Sequence, residues 1–148
     1  VYLEKDGVRY ATKVSEWNLG GTSNLIKAAV SKTPPAGRYA VLLISKELGE
    51  LRADKTFEIM APQLDSVSVN LLEGKPVATI QGDYFGLTKK PKVYMNNGVK
   101  DLSCKVTSFN GTEIRCTPHK SVVTGAYTVK VIVGNILKGE RLSDITMP

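Results

Sequence analysis

Gly37-Arg38-Tyr39-Ala40-Val41-Leu42-Leu43-Ile44 returns later in the chain as Gly125-Ala126-Tyr127-Thr128-Val129-Lys130-Val131-Ile132. Each copy is a glycine turn, then a tyrosine, then apolar residues at every second position. Period-two alternation behind a tight corner describes a strand with one buried face. The copies stand 88 residues apart (125 − 37), about the length of one small all-β domain. No reactive group sits in the phrase, so it marks architecture rather than chemistry.

The repeat extends outward over most of the chain. Val1-Tyr2-Leu3 matches Val93-Tyr94-Met95, Lys13-Val14 matches Lys105-Val106 and Trp17 matches Phe109, all at an offset of 92. Past the first copy's longer Asn18-Leu19-Gly20-Gly21-Thr22 loop the offset falls to 88, with Ile26 matching Ile114 and Phe57 matching Ile145. Repeats diverge first in loop length. The copies meet at Ala61-Pro62-Gln63, where Pro62 cannot donate to a strand ladder. The expected domains are therefore 1–61, partial, and 62–148, complete. The first copy has no counterpart of residues 64–92. Its opening strands have been removed, are disordered, or come from another chain. An unpaired open sheet is a liability, so something is expected to cover it. The absence of Met and of a leader-like run at Val1 is read as processing or trimming.

In the complete copy, strands are expected near 65–70, 77–85, 92–96, 99–109, 112–117, 126–134 and 139–147. Gly74-Lys75-Pro76, Asn96-Asn97-Gly98, Asn110-Gly111 and Gly134-Asn135 separate them with turn chemistry. No window sustains a 3.6-residue period, so the fold class is all-β. Seven short strands at this spacing read as a β-sandwich.

Composition excludes little. The chain is 42% hydrophobic and 23% charged, and no apolar run approaches the ~20 residues of a membrane helix. Twenty Lys and Arg against 14 Asp and Glu give +6, a balance that permits nucleic acid, anionic lipid or acidic polysaccharide as partners. The one dense cluster is Lys89, Lys90 and Lys92 around Pro91, a weak patch.

Gly82-Asp83-Tyr84-Phe85-Gly86, Ile114-Arg115-Cys116-Thr117-Pro118 and Gly125-Ala126-Tyr127-Thr128-Val129 together resemble the IPT/TIG family. The first is similar to that family's G-x-x-F-G after the second strand, the second to its I-x-C/V-x-x-P before a long loop. The resemblance covers 63–148 in order, and 1–62 as the later part of a second copy that lacks the G-x-x-F-G segment. It implies two tandem immunoglobulin-like β-sandwiches, the first without its opening strands. It further implies a spacer or protein-interaction module of a larger extracellular, cell-surface or periplasmic protein, without cofactor or catalysis. IPT/TIG-like domains also occur beside polysaccharide-degrading enzymes and in some transcription factors, so a carbohydrate-binding role is the alternative and nucleic-acid binding a third.

Cys104 and Cys116 flank the turn at Asn110, and a three-residue hairpin loop would set them opposite each other. Their counterparts Thr12 and Ala28 are both non-cysteine, as expected of a pair that acts together. A disulfide is the expectation and two buried thiols the alternative; members of the resembling family can carry a disulfide here. A disulfide implies an oxidising compartment and argues against nucleic acid. Two cysteines and the single His119 are too few for structural zinc. His119 lacks an evident nucleophile and orienting group and reads as a loop residue.

Tyr39 and Tyr127 resemble tyrosine corners, whose hydroxyls bond back to main chain. Phe85 is assigned to the core, which leaves Tyr84 as the outward ring. Trp17, Tyr84 and Tyr10 are the aromatics available for a glycan platform, although the match of Trp17 to Phe109 points to packing. Asn110-Gly111-Thr112 is an N-glycosylation sequon at a hairpin tip.

Overall fold

The computed structural model describes residues 1–18, 25–30 and 32–148, so most of the expected 18–22 loop lies outside the described residues. The chain divides into two compact units, Val1–Met60 and Ala61–Pro148. Every regular element described is a strand.

The first unit contains β1 (Tyr2–Lys5), β2 (Val8–Asn18), β3 (Leu25–Val30), β4 (Gly37–Ser45) and β5 (Gly49–Ile59). They form one antiparallel sheet in the order β3-β2-β1-β4-β5. Asp6 and Gly7 close the first hairpin with φ of 52° and 77°, the paired positive values that a two-residue type I′ turn requires. The early part of β2, up to Ala11, pairs with β1, while its later part, from Thr12 on, pairs with β3.

The second unit contains β6 (Gln63–Leu72), β7 (Lys75–Asp83), β8 (Lys92–Asn96), β9 (Asp101–Phe109), β10 (Glu113–Thr117), β11 (Gly125–Val133) and β12 (Leu137–Ile145). All seven expected strands are present, but they do not separate into two independent sheets. They make one continuous sheet, in the order β12-β11-β8-β9-β10-β7-β6. Residues 101–104 of β9 pair with β8, and residues 105–109 pair with β10. A long strand that serves both layers folds the sheet over on itself. The two edge strands then approach: Arg141 Nη1 donates to the Leu64 carbonyl at 3.4 Å. Gly139 is needed there, because any Cβ would run into the Pro62 carbonyl and the Leu64 side chain. The result is barrel-like and all-β.

Strand for strand, β1–β5 repeat β8–β12. Leu3 pairs with Val41 as Met95 pairs with Val129, and Trp17 pairs with Ile26 as Phe109 pairs with Ile114. Both copies place a register shift at the same point, around Ser15 in β2 and around Thr107 opposite Arg115 and Cys116. One expected match changes. Tyr39 pairs with Phe57, whereas Tyr127 pairs with Ser143, so Phe57 corresponds to Ser143 and not to Ile145. An irregularity in β5 between Arg52 and Thr56 lengthens that strand and shifts everything after it.

The cores differ sharply. In the second unit every strand contributes to one buried cluster, including Ile80, Phe85, Met95, Ile114, Val129 and Val131 at 0% exposure. Among the described residues of the first, the buried large apolar side chains are Leu3, Tyr39 and Leu42, and Pro34 is also buried. Apolar burial is the main favourable term in folding, so the first unit is the weaker of the two.

Candidate functional site

The first unit keeps an open apolar groove of about 460 Å³. Its walls include Leu3, Ile26, Ala28, Val41, Leu43 and Phe57, with Leu51 and Thr12 at its sides. Five of these correspond to buried core residues of the second unit: Leu3 to Met95, Ile26 to Ile114, Ala28 to Cys116, Val41 to Val129 and Leu43 to Val131. Those counterparts are all at 0% exposure. In the second unit β7 continues the sheet past β10, pairing Ile80 with Ile114 and Ala78 with Cys116, and Ala78 and Ile80 join the same buried cluster as these five. Among the described residues β3, the counterpart of β10, has β2 as its strand neighbour and a free second edge. The groove is thus a core face without its cover.

This placement explains two of the expected ligand aromatics. Trp17 is 48% exposed and shares the groove side of the β2–β3 ribbon with its partner Ile26. Its counterpart Phe109 packs against the second unit's core. Tyr10 is half-buried, set edge-on against Tyr39 with centroids 5.7 Å apart, and it corresponds to buried Leu102. Tyr84 belongs to the second unit, is 48% exposed, and sits at a φ of 62° beside fully buried Phe85. Trp17 and Tyr10 therefore stand at core-type positions.

The Gly82–Gly86 segment is a structural corner. Its backbone N–H groups at Gly82 and Phe85 donate to Thr112 O at 2.9 Å and Gly111 O at 3.1 Å, which ties it to the β9–β10 turn. Gly82 has no room for a Cβ against the Gln63 carbonyl and the Phe85 ring. In that turn Asn110 Oδ1 accepts from the N–H groups of Thr112 and Glu113 at 2.9 and 2.7 Å, so the sequon sits on an exposed, self-capped tip.

Cys104 and Cys116 are joined, with Cα atoms 5.5 Å apart. They are not cross-strand partners as the hairpin reading expected: Cys116 pairs with Val106, and Cys104 pairs with Val93. The β9–β10 turn is centred further along than Asn110, which displaces the register. The bond spans the corner where β9 leaves one layer for the other, so it fastens the fold of the sheet. Both tyrosine corners form. Tyr39 Oη donates to Pro35 O at 2.6 Å, and Tyr127 Oη accepts from Val123 N–H at 3.1 Å. Burial pushes the Tyr39 phenol up, with Tyr10 and Asp6 adding to it.

Among the described residues no charged side chain is buried. Glu4 binds Arg52 at 2.7 Å and Arg9 at 2.9 Å, and Arg9 reaches Glu50 at 2.8 Å. Hydrogen bonds from Arg52 and then Arg9 hold the Glu4 carboxyl below its ordinary range. Lys89, Lys90 and Lys92 are exposed, and Lys90 and Lys92 border a shallow hollow across β8–β9 that also takes in Lys105 and Tyr94. Lys105 is absent from the linear cluster and joins it only through strand pairing. His119 Nδ1 accepts from Ser121 N–H at 3.1 Å, so the ring caps a turn. Among the described residues no group of three or more His, Cys, Asp or Glu could hold a metal. No described helix is long and apolar enough to cross a membrane. Comparison with protein-family models and with curated proteins gave no match.

Proposed function

We propose that the chain is a non-catalytic tandem of immunoglobulin-like modules of IPT/TIG type, part of a larger extracellular or cell-surface protein. It serves as a spacer or protein-interaction element. The observation that supports this reading is the repetition of a five-strand plan in two units, with the same strand pairing and a shared bulge in β2 and β9. Duplicating a scaffold sets distance and presents surfaces; it adds no reactive group. The cystine supports an oxidising location. Two measurements test the proposal. Protein isolated from its native source should carry Cys104–Cys116 oxidised, and free thiols there would remove the extracellular assignment. Panels of glycoside, ester and peptide substrates should show no turnover; turnover that disappears on unfolding the chain would refute the non-catalytic reading.

Carbohydrate binding is the second reading, favoured by the exposed rings of Trp17 and Tyr84. It requires glycan-array binding that Trp17→Ala abolishes.

A further inference from the structure

Three lysines of the second unit meet at one point on its outer face. Lys90 and Lys92 flank buried Pro91 at the start of β8, and both are exposed. Val93 stands opposite Cys104, so the antiparallel register carries exposed Lys92 and Lys105 to opposite positions. Lys105 is also where β9 stops pairing with β8 and begins to pair with β10. A shallow hollow of about 380 Å³ lies at that point. Lys90, Lys92 and Lys105 line it, together with half-buried Tyr94 and exposed Ser103. Cys104 lines it too, and its bond to Cys116 ties down the strands that carry the site.

The fold gains nothing from this arrangement. Like charges at opposite cross-strand positions destabilise a sheet. Among the described residues none of the three lysines forms an ion pair. The carboxylates on β9 to β12 are engaged elsewhere: Asp101 holds Lys130 at 3.0 Å, Glu113 holds Arg115 at 2.8 Å and Glu140 holds Lys138 at 2.5 Å. The remaining one, Asp144, lies opposite Ala126, at the far end of β11 from Ile132, which faces Lys92. The positive charge of the hollow is therefore uncompensated.

We propose that this hollow binds an acidic polysaccharide, whose sulfate or carboxylate groups recur along an extended chain. Recurring anions answer three ammonium groups set across two strands. Ser103 adds a hydroxyl donor, and Tyr94 offers a sugar ring an apolar face with a polar tip. The cystine implies an oxidising compartment, in which acidic glycans rather than nucleic acids are the abundant polyanions. The proposal goes beyond the spacer reading, shares only the compartment with it, and uses neither Trp17 nor Tyr84.

The test titrates the 148-residue chain with heparin, a sulfated glycan, and follows binding by calorimetry. A triple variant, Lys90→Ala with Lys92→Ala and Lys105→Ala, lowers the net charge from +6 to +3 (6 − 3). A control triple, Lys13→Ala with Lys46→Ala and Lys55→Ala, lowers it equally at exposed positions of the first unit. Parent and control bind alike, and the hollow variant binds about tenfold or more weakly. Binding of the parent weakens as salt rises. Amide NMR shifts in the parent concentrate at Lys92–Met95 and Ser103–Val106, and dextran, a neutral glycan, produces none. A parent that does not bind heparin overturns the proposal. Equal loss in both variants does so too, because net charge alone is then acting. Tighter binding at equal charge to double-stranded DNA or to phosphatidylserine vesicles assigns the hollow to another partner and overturns it as well. Shifts centred away from the hollow refute it without any variant having to fold. None of these outcomes touches the turnover and thiol measurements.

Discussion

Removing the Cys104–Cys116 bond by the double change Cys104→Ala and Cys116→Ala should destabilise the second unit and leave the first alone. The bond closes a loop of sequence separation 12 in the unfolded chain, worth about 3 kcal/mol by loop entropy. The half-cystines are 4% and 0% exposed, and emptying their sulfur volume adds roughly 1 kcal/mol of lost packing. Urea titration followed by far-UV circular dichroism and by Trp17 emission separates the units, because Trp17 lies in the first. With a slope of about 1–1.5 kcal/mol/M, a total of about 4 kcal/mol lowers the second unit's midpoint by roughly 3–4 M. The Trp17 transition stays where it was. A midpoint that moves by less than about 0.5 M, or an equal shift in the Trp17 signal, would refute the idea that this bond fastens the corner of one self-contained unit.

Other substitutions probe the remaining supports. Phe85→Ala empties a fully buried site under the Gly82–Gly86 corner and should cost about 3–5 kcal/mol in the second unit's unfolding free energy. Gly139→Ala drives a methyl into the Pro62 carbonyl and should cost about 1–3 kcal/mol, read as faster exchange along β6 and β12. Tyr127→Phe removes the acceptor for Val123 N–H and should lower the second unit's stability by about 0.5–1.5 kcal/mol in the same titration. The pH response of the first unit should follow Glu4, whose carboxyl is held below its ordinary value of 4.5 by Arg52 and Arg9. A depressed folded-state value adds stability above the unfolded value, and that stability is lost as pH falls through the folded one. The Trp17 transition should therefore weaken below about pH 4.5, and Glu4→Gln should flatten that dependence.

Local patterns carried the strand content because alternation, Gly and Asn turns and Tyr corners act over a few residues. Asp6-Gly7 and Glu73-Gly74 each close a two-residue hairpin at positive φ, chemistry that is legible in two letters. Register over longer distances was less legible. The extra residues in β5 that move Phe57 opposite Tyr39, and the turn centre that sets Cys116 against Val106, depend on how bulges relax in a twisted sheet. In one dimension Trp17 reads as a packing residue by its match to Phe109, with Tyr10 beside it as an aromatic available to a glycan. Their strand partners put them on the groove side.

The twice-written Gly-x-Tyr phrase, followed outward, determined that the chain is all-β and that it repeats. What only the tertiary structure decided is which apolar face of the first unit lies open. Pairing across the sheet collects Leu3, Ile26, Ala28, Val41 and Leu43 into one apolar face, whose counterpart in the second unit lies inside the buried cluster. Sequence order fixes which residues alternate. Which of two alternating faces is left without a neighbour is fixed by long-range hydrogen bonding between strands, and no local pattern encodes that.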